Sequence, residues 1–158
     1  MNEIDFKYTD ERFGDIQMLR YRLNGFDELT LQQKKYIYYL SEATLAGRDI
    51  TFDQFGRYNL LIRNTLEAVY THFSGANDDK NFVEMTEYLK RVWFSNGIYH
   101  HYGSEKFAPS FPESWFRETV NRLDTKLVPM GWNSWQDVLN EICPVIFDPT
   151  VMPKRVNQ

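Results

Sequence analysis

The chain has little cysteine, no long apolar run and no surplus of basic residues. Among its 158 residues Cys143 is the one cysteine, so no disulfide can form within the chain, which is typical of proteins in reducing compartments. No apolar run approaches the roughly 18 residues that a membrane span needs. Lys and Arg number 18 against 22 acidic residues, a formal charge of -4, and this balance excludes a strongly basic nucleic-acid-binding protein.

Acidic residues stand at the place where a secretory signal needs a basic region. The chain begins MNEIDFKYTDERF, with acidic residues instead of a basic region followed by an apolar core. We therefore expect a cytoplasmic protein with no nucleic-acid partner and no membrane partner. The length is close to that of one domain, roughly 100–150 residues, so the sequence predicts a single domain over 1–158.

Apolar residues spaced by three and four positions predict an all-α fold of about six helices. Thr30 and Gln33 match a capping box, in which two side chains satisfy backbone N–H groups at a helix N-terminus. Gly47 stands where a left-handed residue would end that helix. No long alternating pattern is present, no Asn-Gly turn joins two strand-like runs, and 48–57 is predicted to be a loop. The predicted helices are 10–23, 31–46, 58–73, 80–95, 113–127 and 135–143.

The histidines do not match a known metal motif. They are His72, His100 and His101. Neighbouring residues on a helix point about 100° apart, so His100 and His101 cannot share a helix face. Neither an acid nor a third histidine has the spacing of a zinc motif, and no metal ligand is predicted.

Motifs for nucleophilic and acid–base chemistry are missing as well. Cys143 lies among apolar residues, as a small buried residue would, and the sequence has neither a G-x-S-x-G turn nor a glycine-rich phosphate loop. The tyrosines of KKYIYYL (34–40) are interpreted as core packing rather than a base-stacking surface. No catalytic residue is therefore predicted. The paired acids, interpreted as helix-start or turn features, are Asp10-Glu11, Asp27-Glu28 and Asp78-Asp79.

The most unusual segment is WFSNGIYHHYGSEKFAPSF, residues 93–111. It has no clean period and combines aromatic rings, two imidazoles, two glycines and a lysine between two predicted helices. Loops held by rigid helices often carry binding residues. Alternatively, the aromatic side chains attach a long loop to the core, and the residues alone leave both interpretations open.

This segment resembles the dipeptidyl peptidase III family of zinc exopeptidases. The resemblance rests on EYLKRVWFSNGIYHHYGSEKFAPSFP (87–112), supported by LTLQQKKYIYYLSEATLAGRDITFDQFGRYNLLIRNTLEAVY (29–70) and by CPVIFDPTVMPKRVNQ (143–158). The long match is to the bacterial branch. The pattern G-x-Y-x-x-aromatic-G-x-x-K-F, from Gly97 to Phe107, extends it to distant members.

The resemblance implies a two-lobed enzyme of several hundred residues that releases dipeptides from the N-terminus of short peptides. In such enzymes an upper lobe carries His-Glu-x-x-Gly-His and a downstream Glu for zinc, and the N-terminal helices belong to the lower lobe. This sequence lacks that motif. It is therefore expected to be the non-catalytic N-terminal part of such a peptidase, inactive alone. Zinc is then the cofactor of the parent but not of this piece, and the partners are the remaining catalytic lobe and a short peptide substrate.

The resemblance also implies candidate substrate-binding residues. The family places a small polar residue and an aromatic residue before a glycine, near the pocket for the substrate's N-terminal dipeptide. Those positions are His101, Tyr102 and Gly103. Distant members have Ser-Phe at the first two, so both residues depart from that pattern. Tyr99 and Asn96 are further substrate-binding candidates, and together with their neighbour Lys106 they are expected to shape the loop.

Two other functions stay open at this point. One is a stand-alone helical interaction module with no peptidase attached. The other is an independent helical enzyme that uses His100 and His101. A reading frame that ends at Gln158 favours the module, whereas one that continues through His-Glu-x-x-Gly-His favours the peptidase, and a zinc titration without tight binding would exclude the independent enzyme.

Overall fold

The computed structural model describes residues 6–155, and the chain divides into two compact units between Arg48 and Asp49. The structure is 55% helical and 9% strand, with a two-stranded antiparallel sheet. The fold is therefore mixed, and the all-α prediction is wrong. The predicted set of about six helices is only roughly right, because one predicted helix is absent and one predicted loop is helical.

The first unit opens with a β-hairpin where the sequence predicts the helix 10–23. Strands β1 (Thr9–Phe13) and β2 (Ile16–Leu19) are antiparallel, and the last residue of β1 pairs with the first of β2. This pairing leaves Gly14 and Asp15 as a two-residue turn. Gly14 has a φ of 52°, and a left-handed first turn residue matches the twist of hairpin strands.

Helix α1 (Leu31–Ala46) follows a single turn of 3₁₀ helix at Phe26–Glu28. The predicted capping box is confirmed: Thr30 Oγ1 accepts the N–H of Gln33 at 3.3 Å, and Gln33 Oε1 accepts the N–H of Thr30 at 2.9 Å. The predicted left-handed ending is wrong. Gly47 has a φ of -90° and continues the right-handed conformation.

The apolar side chains of α1 are exposed, and the core-packing interpretation of its tyrosine cluster is therefore wrong. The three tyrosines, Tyr36, Tyr38 and Tyr39, are each more than half exposed. Apolar residues lie on several sides of this helix instead of forming a single stripe, so no face of it is distinctly polar.

The second unit contains the remaining helices. Residues 48–57, expected to be a loop, contain α2. The fifth predicted helix is interrupted, since α5 ends early and Thr125–Leu127 forms a separate 3₁₀ turn, whereas α6 continues through Pro144. The helices are α2 (Arg48–Phe55), α3 (Asn59–His72), α4 (Lys80–Ser95), α5 (Glu113–Asn121) and α6 (Trp135–Phe147).

The hydrophobic core of the second unit is formed mainly by α3, α4, α5 and α6. Leu66, Leu89, Phe116 and Ile142 are fully buried in it. Cys143 is also fully buried, which confirms its interpretation as a small apolar residue, and burial raises the pKa of its thiol to about 12. Over residues 6–155, no helix combines the length and apolarity required to cross a bilayer.

Candidate functional site

The candidate loop, residues 96–107, begins with a sharp turn at the end of α4. Asn96 has a φ of 53° and Gly97 a φ of 152°, and both N–H groups donate to the same carbonyl in the last turn of the helix. Left-handed residues end helices in this way because they let following N–H groups reach unpaired carbonyls. Buried Asn59 then fixes the next residue, since its Oδ1 accepts the N–H of Ile98 at 3.2 Å.

Two backbone hydrogen bonds close the loop into a narrow antiparallel hairpin. The N–H of His100 donates to the carbonyl of Glu105, and the N–H of Phe107 donates to that of Ile98, each at 2.8 Å. Between these two bonds, Tyr99 is buried and its Oη donates to the carbonyl of Met152 at 3.1 Å. Burial raises the pKa of Tyr99, so the hydroxyl stays protonated as a donor.

The outer side of this hairpin pairs with the segment 153–155. The N–H of Lys106 donates to the carbonyl of Pro153 at 3.2 Å, and the N–H of Arg155 donates to that of Ser104 at 2.9 Å. Main-chain hydrogen bonds therefore hold the loop in two places, within the hairpin and along its outer side. The segment that connects α4 and α5 is thus fixed by strand-like pairing.

The side chain of Lys106 ties the loop to the C-terminal end of α6. Its Nζ donates to three main-chain carbonyls, those of Val145 at 2.7 Å, Asp148 at 2.5 Å and Val151 at 2.8 Å. The last carbonyls of a helix have no intrahelical partner, and an ammonium group there also interacts favourably with the helix dipole. Burial lowers the pKa of Lys106, and the nearby Asp148 carboxylate opposes this shift.

The imidazole of His100 shapes the tip of the loop. Its Nδ1 accepts the N–H of Tyr102 at 3.3 Å and the N–H of Gly103 at 3.2 Å. Because Nδ1 acts as an acceptor, the proton of the neutral ring lies on Nε2. Gly103 is closely approached by Glu105, whose Oε2 lies 2.2 Å from the position of an added Cβ.

A cluster of rings surrounds His101. Its imidazole stacks on that of His100, with 4.5 Å between centroids and 23° between planes, and meets the edge of Phe94 at 4.8 Å. Tyr102 lies 4.3 Å from His101 on another side and is 91% exposed. The tip therefore presents one solvent-facing aromatic ring backed by three others.

The structure separates the five candidate residues into two groups. His101, Tyr102 and Gly103 lie together at the tip. Tyr99 and Asn96 do not reach it, because Tyr99 is buried toward the C-terminal segment and Asn96 ends α4. These two residues hold the loop in place and do not stand at its tip.

One residue of this site, and the role of a second, fall outside the prediction. Phe94 supports His101 from the exposed side of α4, and Lys106, expected only to shape the loop, caps a helix whose sequence lies about 40 residues further on. Both residues fall inside the unusual segment 93–111, so its composition was the available signal. Neither partner could be identified from spacing, because both contacts form only after the chain folds.

Aromatic ring faces at the tip can contact an apolar group, and an imidazole can hydrogen-bond to a peptide group. Both interactions are suited to binding a ligand. Across residues 6–155, no group of three His, Cys, Asp or Glu side chains is placed to hold a metal ion. Comparison of the sequence with protein-family models and with curated proteins finds no match.

Proposed function

We propose that this chain is the N-terminal, non-catalytic part of a zinc-dependent dipeptidyl peptidase and that its loop 96–107 forms part of the substrate cleft. The observation that carries the proposal is the construction of the loop. His101 and Tyr102 stand at a tip that is anchored on both sides, and Tyr102 is 91% exposed. The motif from Gly97 to Phe107 resembles the dipeptidyl peptidase III family and supports a short peptide as the substrate.

In this proposal the loop positions a short peptide and takes no part in breaking the bond. The ring of Tyr102 provides an apolar contact for a substrate side chain, and His101 provides a hydrogen bond to its backbone. The motif His-Glu-x-x-Gly-His that the resemblance implies is missing from this sequence, so the proposal assigns the chemistry of hydrolysis to the rest of the parent protein. A cytoplasmic location is part of the proposal and is supported by the single, buried Cys143.

The first test compares this chain with the protein extended through its natural reading frame, using a dipeptidyl arylamide and added zinc. We expect hydrolysis only by the extended protein. An extended protein that carries no His-Glu-x-x-Gly-His and has no activity would contradict the proposal and favour an interaction module instead. Activity in the 158-residue chain would contradict it as well, and His100 and His101 would be the first residues to mutate.

The second test addresses the loop in the active, extended protein. Loss of a contact worth about 1.4 kcal/mol raises KM about tenfold, so His101→Ala and Tyr102→Ala should each raise KM by up to this factor with little change in kcat, because uniform binding is lost. Tyr21→Ala is the matched control, since Tyr21 is also highly exposed, at 78%. Unchanged KM in both loop variants would exclude the loop from the cleft.

A further inference from the structure

A cleft of about 410 Å³ lies in the second unit, away from the candidate loop. It is formed by the end of α2, the first turns of α3, the segment 129–132 and one side of α6. Its volume falls within the range of sites for small organic molecules, roughly 300–1,000 Å³. The hydrophobic side chains that line it include Tyr58, Leu61 and Trp132, and these are only partly buried.

Tyr58 places a cation and a carboxylate on two sides of one ring in this cleft. The guanidinium carbon of Arg57 lies 5.3 Å from the ring centroid, and the Tyr58 Oη donates to Oε2 of Glu141 at 3.3 Å. Both charged side chains line the same cleft, so one small molecule can contact both.

The two charged groups retain capacity for further hydrogen bonds. Over residues 6–155, the contact found for the Arg57 guanidinium is the ring of Tyr58, and no ion pair joins it to another residue. Its five N–H donors suit a carboxylate. Glu141 accepts one hydrogen bond from Tyr58, whereas an ionised carboxylate has about four acceptor positions. Asp53 adds a second carboxylate to the lining.

We propose that this cleft binds a small zwitterion with an apolar side chain, the chemistry of a free amino acid or a dipeptide. The ligand's carboxylate binds Arg57, its ammonium group binds Glu141, and its side chain packs against Tyr58 and Trp132. A purely anionic ligand would be repelled by Asp53 and Glu141, and a purely cationic one would leave the guanidinium group of Arg57 without a carboxylate partner. None of these residues belongs to the loop 96–107, so the inference does not rest on the proposed function.

Calorimetric titration of the whole chain tests the ligand chemistry. The probes are L-phenylalanine, the dipeptide phenylalanyl-alanine, phenethylamine and 3-phenylpropanoate. The last two lack the carboxylate and the amine, respectively. Since one charged hydrogen bond contributes about 1.5–3 kcal/mol, we expect each to bind at least about tenfold more weakly than the better zwitterion.

The two zwitterions distinguish an amino acid site from a dipeptide site, and tighter binding of either supports the proposal. Binding of phenethylamine or 3-phenylpropanoate as tight as that of both zwitterions would overturn it. The absence of saturable binding by both zwitterions at millimolar concentration would overturn it equally.

Variants then test the assignment of the charges. Arg57→Gln and Glu141→Gln should each weaken binding of the better zwitterion at least about tenfold, and Arg57→Gln should leave the affinity for phenethylamine unchanged or raise it. Both side chains are exposed, so these variants should fold, which near-UV circular dichroism can check. The matched controls are Arg122→Gln and Glu118→Gln, which break an exposed ion pair on α5 and its C-terminal end. Equal affinity in the Arg57, Glu141 and control variants would exclude this cleft as the site.

Discussion

A Cβ atom added to Gly97 would stand 2.3 Å from Nδ2 of the buried Asn59 side chain. The same amide accepts the N–H of Ile98 through its Oδ1, so it cannot move away without breaking the hydrogen bond that starts the candidate loop. Gly97 also has a φ of 152°, which side-chain-bearing residues rarely adopt. Position 97 therefore combines a steric and a conformational requirement for glycine.

We predict that Gly97→Ala lowers the free energy of unfolding by about 3 kcal/mol or more, because backbone strain of about 1–3 kcal/mol adds to the clash. Gly131→Ala is the control: Gly131 has a φ of 92°, but an added Cβ meets nothing within 4 Å. It should therefore show the strain alone. Urea denaturation measures both, and equal losses in the two variants would contradict the role given to Asn59.

The hydrogen bonds accepted by His100 make a prediction about the tip of the loop. Removing the acceptor in His100→Ala should make the amide protons of Tyr102 and Gly103 exchange faster, because both donate to Nδ1. His100→Asn places an oxygen near the position of Nδ1 and should keep part of the protection. Hydrogen exchange measured by NMR checks this. Protection that is identical in all three proteins would show that the imidazole does not hold the turn.

Local signals explain which helices could be predicted. The capping box at Thr30 fixed the start of α1, and residues spaced by three and four gave α3 and α4 nearly to their ends. Asp79, one of the paired acids interpreted as a helix-start or turn feature, caps α4 through the N–H of Phe82. In each case the interaction joins residues within one helical turn, so a short sequence pattern is enough to predict it.

The hairpin shows where such signals fail. Phe13, Ile16 and Leu19 have helical spacing, and this short run predicts one face of a helix. In the structure Gly14 and Asp15 turn the chain between two strands. A Gly-Asp pair between strand-like runs is itself a turn signal, and here this signal prevails over the helical spacing. Over four or five residues, helical and strand patterns overlap, and the conformation of the turn residue decides between them.

The candidate site could be predicted only in part for a related reason. The tip residues are consecutive in the sequence, so a local motif that includes one of them includes the others. The supports of the loop come from elsewhere in the chain: Asn59 precedes it by 39 residues at Ile98, and Met152 follows Tyr99 by 53. Such contacts depend on the packing of α3 and α6, which no local pattern encodes.

Tyr88 and Tyr99 differ in how their hydroxyl groups are satisfied. Within residues 6–155, the buried Oη of Tyr88 has no hydrogen-bond partner, whereas Tyr99 donates to Met152. Tyr88→Phe should therefore leave the free energy of unfolding unchanged or raise it, whereas Tyr99→Phe should lower it by about 1 kcal/mol. Urea denaturation near pH 7 measures the pair. A clear loss of stability in Tyr88→Phe would show that its hydroxyl is hydrogen-bonded.

The same two tyrosines predict a loss of stability in alkali. Burial raises the pKa of both, and for Tyr88 the neighbouring Tyr99 raises it further. Their contribution to stability is complete below the ordinary tyrosine pKa of about 10. Above that pH the unfolded chain releases protons that the folded chain retains, so the free energy of unfolding falls. Tyr88→Phe should make the free energy of unfolding fall less steeply with rising pH. An unchanged pH dependence between about pH 10 and 11 would contradict the raised pKa of Tyr88.

Lys106→Met should release the C-terminal segment from the candidate loop. The substitution keeps an apolar stem but leaves the carbonyls of Val145, Asp148 and Val151 without their charged donor. We expect a loss of about 2 kcal/mol in the free energy of unfolding, together with faster exchange of the Arg155 amide proton, which donates to the loop. Lys126→Met is the control, because Lys126 is exposed and surface substitutions change stability by about 0.5 kcal/mol or less. The contrary result would be a loss of stability in Lys106→Met no larger than in Lys126→Met, with the Arg155 amide proton still protected from exchange. In that case the main-chain pairing with 153–155 alone would hold the loop, and the ammonium group of Lys106 would not contribute.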